Sequence, residues 1–157
     1  MKDVRISIGE IVMNFSALEL HLSGMVIRLL GEDTKLGAVI TSEMSFQNLI
    51  RAFDGITKLK YAENSGERIE ALEIIGECTI AEENRNKIIH SIYTNNDTVP
   101  GKIVRMKITA KRNKGLNIIS EALEDDTLEN ICVQSMKAIF AVKKLYAKLF
   151  NDEIRIA

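Results

Sequence analysis

The chain reads as mainly α-helical: a bundle of four to five up-and-down helices with one β-hairpin between the third long helix and the last. Three observations point there. Apolar residues recur at spacings of three and four over most of the 157 residues, the period of a helix with one buried face. The single proline, Pro100, falls where that pattern stops, so the helical stretches carry no internal breaker. Between Lys102 and Ser120 the period changes to two, which is a strand pattern.

The first helix is expected from Val4 to Leu30. Ile8, Ile11, Phe15, Leu18, Leu22, Met25, Val26 and Leu29 form its stripe, and Gly31 suits its C-terminal cap. Asp33 or Thr34 can cap a second helix, which breaks near Ser42 to Ser45. Ser45 then caps a segment from Phe46 to Tyr61. After the loop of Asn64, Ser65 and Gly66, the next helix runs from about Glu67 to Tyr93 and ends in the turn-rich stretch Asn95, Asn96, Asp97, Pro100 and Gly101. In the strand that follows, Val104, Met106, Ile108 and Ala110 alternate with Arg105, Lys107 and Thr109. Asn113, Lys114 and Gly115 supply a turn, and Leu116 to Ile119 return. Asp125, Asp126 or Thr127 cap a final helix through Leu128, Ile131, Met136, Ile139, Val142, Tyr146 and Leu149. Such stripes bury against one another as a bundle. The length suits one domain, residues 1–157, with the hairpin inserted at about 102–120.

Composition narrows the class. Hydrophobic residues are 46% of the chain, which disfavours disorder. The 21 basic and 22 acidic residues nearly cancel, which argues against a protein that coats nucleic acid by net charge but leaves room for a local basic patch. Cys78 and Cys132 lie in apolar helical stretches and read as reduced, buried thiols rather than a disulfide or zinc site. MKDVRISIGE has no continuous apolar core of the signal-peptide kind, and no run of about 18 apolar residues occurs. A cytoplasmic protein without a membrane span, metal or cofactor is expected.

Two charges stand out on a wheel of roughly 100° per residue. Arg85 falls within the apolar face made by Ala71, Ile74, Ile75, Cys78, Ala81, Ile88, Ile89 and Ile92. A guanidinium cannot shed its proton to escape burial, so it needs an anion from the protein or from a ligand. Glu19 sits at the edge of the first helix's stripe, and an ion pair between Glu19 and Arg85 would meet both needs. That pair could equally do no more than fix the register of two helices. Asn86 and His90 are helical neighbours four residues apart, beside Tyr93. The other histidine, His21, falls on the polar side of its helix and reads as a solvated surface residue.

The string R-N-K-I-I-H, Arg85 to His90, resembles the R-[N/D/H]-x3-H signature of the HEPN superfamily. F-S-A-L-E-L, Phe15 to Leu20, is similar to the first-helix pattern of small bacterial members, and the element order covers nearly the whole chain. The resemblance implies a homodimer through the motif helix, with two signatures lining one cleft, and a ribonuclease of toxin–antitoxin or phage-defence type. Carried onto this chain, Arg85, Asn86 and His90 would be catalytic, with Glu19 and Tyr93 in support. Some members carry a tyrosine two residues after the histidine that a nucleotidyltransferase partner modifies. Here Ile92 holds that place and Tyr93 comes one residue later, which weakens that pairing. An antitoxin partner stays open.

The chemistry that this implies requires no metal, because RNA brings its own nucleophile, the 2′-OH. His90 would move protons near neutral pH. Arg85 would stabilise charge on the phosphorane, and Asn86 would orient the 2′-OH or the imidazole. The product would be a 2′,3′-cyclic phosphate. Lys102, Arg105, Lys107, Lys111, Arg112 and Lys114 make the hairpin basic and suggest an RNA-tracking surface. Equally, these charges could simply protect strand edges. A non-catalytic module of the same fold, binding a partner protein or a nucleotide, is the competing reading.

Overall fold

The structure is a computed structural model that describes residues 3–31, 34–95, 103–111, 115–124 and 126–151. Its elements are α1 (Val4–Leu30), α2 (Thr34–Ser42), α3 (Phe46–Lys60), α4 (Gly66–Ile89), β1 (Ile92–Asn95), β2 (Ile103–Lys111), β3 (Gly115–Ala122) and α5 (Thr127–Phe150). The bundle expected from the apolar spacing is present, with five helices among the described residues. Asp33, Asn96, Asp97, Pro100, Gly101, Asn113, Lys114 and Asp125, expected as capping or turn residues, lie outside them.

The caps follow ordinary chemistry. The side chains of Ser45 and Ser65 accept from the backbone N–H groups of Asn48 and Arg68, satisfying donors that a helix start leaves open. Gly31 ends α1 in the left-handed region at φ 71°, where a side chain is strained. Asp126 stands at the start of α5 but makes no side-chain cap bond.

α1 lies against α3, α4 and α5. The main core joins Phe15, Leu18, Leu22 and Met25 of α1 to Phe53, Ile74, Cys78, Val142 and Leu145. Polar clamps sit outside it. Arg68 donates to Asp54 at 2.6 Å and to Thr57 at 2.8 Å, tying α4 to α3. Lys148 donates to Glu70 at 2.7 Å, and Gln134 bonds Glu77, tying α5 to α4. Gly37 lets α2 approach α1: a Cβ there would meet the Ile27 side chain at 2.7 Å. Met136, expected in the α5 stripe, points outward.

A second, smaller core lies at the end of the bundle that carries the sheet. Ile11, Ile88, Leu123, Leu128 and Ile131 pack there, with Val4, Ile8, Tyr93 and Cys132 against them. It brings together the start of α1, the end of α4 and the start of α5.

The structure differs from the sequence reading in this region. The helix expected to reach Tyr93 stops at Ile89, with His90 as its cap residue. Ile92–Asn95 form a strand, so the hairpin grows into a three-stranded antiparallel sheet in the order β1-β2-β3. Ile92 and Thr94 are β-branched and favour a strand, and β2 offers them a partner. The pairs are Ile92↔Met106, Tyr93↔Arg105, Arg105↔Glu121 and Ile108↔Ile118.

The sheet is also turned over. An RNA-tracking or a solvated hairpin would turn the polar face of β2 toward water. Instead Arg105 is 2% exposed, and Tyr93, Arg105 and Lys107 all bond the end of α4. The apolar face, with Ile108 and Ile118, looks outward. Three carbonyls in the last turn of α4 account for this. Tyr93 Oη donates to Ile88 O at 2.8 Å, Arg105 Nη1 to Lys87 O at 3.0 Å and Lys107 Nζ to Asn86 O at 3.4 Å. They lie at the negative end of the helix dipole, where cations are favoured, and two of them also accept the N–H groups of His90 and Ser91.

Candidate functional site at the end of α4

Asn86 is the hub of this site. Its side-chain oxygen accepts from Arg85 Nη1 at 2.9 Å. Its backbone carbonyl accepts from the backbone N–H of His90 at 3.4 Å and from Lys107 Nζ at 3.4 Å. Five residues separate Arg85 from His90, so their Cα directions differ by roughly 140° around the helix. The guanidinium closes that gap by reaching to Asn86, which lies roughly 40° from His90. His90 itself is exposed. Arg85 thus meets the side-chain amide of Asn86, whereas His90 meets its backbone carbonyl through the ordinary N–H bond of the last helical turn.

Arg85 is half-buried, with its guanidinium carbon 5.2 Å from the centroid of the Phe15 ring. Phe15 packs in turn on Phe46, with ring centroids 4.6 Å apart. An aromatic face is a favourable seat for a cation. The Nε of Arg85 is buried without a hydrogen-bond partner. The expected Glu19–Arg85 ion pair does not form: the guanidinium turns to Asn86 and Phe15. Glu19 stays half-buried nearby and acts on Glu82 through its charge.

Glu82 was missed by the sequence reading. Burial raises its carboxyl above the usual range, Glu83 and Glu19 add to this, and Arg85 opposes it. A carboxyl pushed up by burial beside a cation is a candidate for proton transfer. The available signal was the i,i+3 spacing of Glu82 and Arg85 on one helix. Phe15 as the seat of Arg85 was also missed, because cross-helix contacts leave no local pattern.

The structure corrects the role of Arg105. It is not a free RNA-contacting cation. Its Nε and Nη2 donate to Glu121 Oε1 at 3.1 and 2.5 Å, and its Nη1 donates to Lys87 O and to Ser91 Oγ, the latter at 2.9 Å. The guanidinium beside Glu121 holds that carboxyl below its usual range. Tyr93 is on β1, with its hydroxyl on Ile88 O; burial raises its pKa. Lys107 faces the end of α4, in reach of Asn86. Lys102, Arg112 and Lys114 lie outside the described residues, and Lys111 is described in its backbone alone. A continuous basic hairpin surface is thus not assembled by the residues described. Lys87, exposed in the last turn of α4 and 3.4 Å from Glu121, adds a cation that the sequence reading did not single out.

His21 is the second correction. It is buried rather than solvated, with Nδ1 unpartnered. Burial, then the charge of Lys143, lowers its pKa. It lies among the buried residues of α1 and takes no part in the Asn86 cluster.

Among the described residues, no group of three or more His, Cys, Asp or Glu is placed to hold a metal ion, and no helix is long and apolar enough to cross a membrane. No family model, curated protein or solved structure matches this chain.

Proposed function

We propose that the chain is a HEPN-type, metal-independent endoribonuclease that acts at the Arg85–Asn86–His90 end of α4. The observation that carries this reading is a half-buried guanidinium held by an amide and an aromatic ring instead of a carboxylate. Its charge is not cancelled by an ion pair, and His90, the exposed cap residue of the same helix, follows one turn after Asn86. A phosphodiester is the natural anion for such a pair.

In this reading Arg85 stabilises the charge that builds on the phosphorane oxygens. His90 takes the proton from the 2′-OH or delivers one to the departing 5′-oxygen. Asn86 positions both. Glu82, its carboxyl pushed up by burial, is a second proton-transfer candidate beside Arg85. Lys107 and Lys87 raise the local potential, and the side chains that cover the α4 carbonyls keep phosphate away from bare acceptors. DNA lacks the 2′-OH and resists cleavage.

A homodimer through α4 fits this reading. Ile69, Leu72 and Ile80 form an exposed apolar stripe on its outer face, and Gly76 between them has open space around it. Pairing two such helices would set two clusters in one cleft. The cytoplasm, where RNA is the substrate and an antitoxin the restraining partner, is the setting that this function implies.

The test is cleavage of a mixed RNA pool in EDTA. Wild-type protein is expected to leave 2′,3′-cyclic phosphate ends. His90→Ala is expected to lower the rate at least 100-fold, the usual scale for a lost proton-transfer group, with an unchanged circular dichroism spectrum. RNA binding without cleavage, unaltered by His90→Ala, would instead identify a non-catalytic binding module.

A further inference from the structure

We infer that the outward face of the sheet is a self-association surface that a second copy of this chain covers. The inference is independent of the ribonuclease reading and of the α4 contact proposed with it. It starts from the inverted sheet. Ile92, Ile108, Leu116 and Ile118 are 57%, 51%, 67% and 55% exposed, and register places Ile92 beside Met106 and Ile108 beside Ile118 on one face. Sheets that show one face to water ordinarily turn the polar one outward. Here the polar face is committed to the end of α4 through Tyr93, Arg105 and Lys107. The apolar face has therefore been left for another surface.

Charge selects the occupant. Among the described residues, the outward face carries no charged side chain; Arg105, Lys107 and Glu121 all sit on the inward one. A nucleic acid or a charged peptide finds nothing there to pair with. A second copy brings an identical uncharged face, so two-fold stacking meets no like-charge cost and buries the same patch twice. Two stacked sheets pack about 10 Å apart with their strands within about 30° of each other.

Area sets the strength. Strands about 4.8 Å apart, rising about 3.3 Å per residue, give this face on the order of 300 Å² in flat projection. A standard stable interface covers about 800 Å² per partner. The association is accordingly weak and reversible, a concentration-dependent dimer rather than an obligate one.

Sedimentation velocity on the whole chain from about 1 to about 300 μM, a span centred on micromolar affinity, tests this. In the Leu72→Glu variant, which breaks any pairing through α4, the chain is expected to move from monomer toward dimer over that range. Ile108→Thr with Ile118→Thr keeps β-branched residues on both strands and is expected to weaken association at least tenfold. Ile108→Lys is expected to abolish it if the variant folds. Leu72→Glu, on the outer face of α4, is expected to leave this association in place. A wild-type or Leu72→Glu chain that stays monomeric throughout overturns the inference. So does a Leu72→Glu dimer that persists undiminished when the double-threonine change is added and the protein stays folded.

Discussion

Arg105 and Arg85 show how the same side chain serves two ends. Arg105 is sealed, with a carboxylate, a hydroxyl and a helix carbonyl around it. Arg85 keeps a buried Nε unpartnered and has no carboxylate bonded to it. Replacing Arg105 with Met should therefore destabilise the fold by about 2–4 kcal/mol, below the full cost of breaking a buried pair because Glu121 reaches water; urea denaturation measures it. Tyr93→Phe removes one bond to Ile88 O and should cost about 1 kcal/mol in the same assay. Replacing Arg85 with Met should cost little stability and suppress RNA cleavage instead. His21 adds a pH dependence. Its folded pKa lies below the unfolded value of 6.5, so the unfolded chain binds the proton more readily between the two. Stability should hold above about pH 6.5 and fall as pH drops through the lowered folded pKa. Thermal unfolding of His21→Phe should show a flatter profile in that window if the ring is accommodated.

At the level of elements, the end of α4 and the sheet form a mutual device. The helix presents carbonyls that need donors, and β1 and β2 supply a phenol, a guanidinium and an ammonium. That exchange fixes which side of the sheet faces in. A shift of one residue in the β1–β2 register would put Tyr93 and Arg105 on opposite faces, so that only one of them could reach α4. The expected result of replacing Thr94 with Pro is loss of β1 pairing, with faster hydrogen exchange at Ile92–Asn95 and at the last turn of α4. The same experiment should leave the first turns of α4 protected, because Ser65, Arg68 and Lys148 hold that end.

Across the whole molecule, the two cores divide the work. The larger one, through α1, α3, α4 and α5, carries stability. The smaller one seats the sheet, while Arg85 rests on Phe15 of the larger. Cysteine reactivity reports on both. Cys78 lies in the large core, with its thiol pushed up to about 12 by burial and by Glu77. Cys132 is half-buried at the smaller one. A disulfide reagent should label Cys132 through local opening and Cys78 at a rate set by global unfolding. Equal native-state rates would contradict this division.

The sequence alone determined the helical bundle, because the three-and-four spacing of apolar residues has one efficient way to be buried. It also marked Arg85, Asn86 and His90, since a permanent cation on an apolar face is anomalous wherever it finally points. It could not determine how the hairpin faces. Alternation specifies two faces but not which one meets the protein, and the carbonyls that decide it belong to a helix end misplaced by four residues. Burial of His21 and the seat of Arg85 on Phe15 were equally out of reach. Each depends on side chains brought together from separate helices, and only the packed tertiary structure sets those distances.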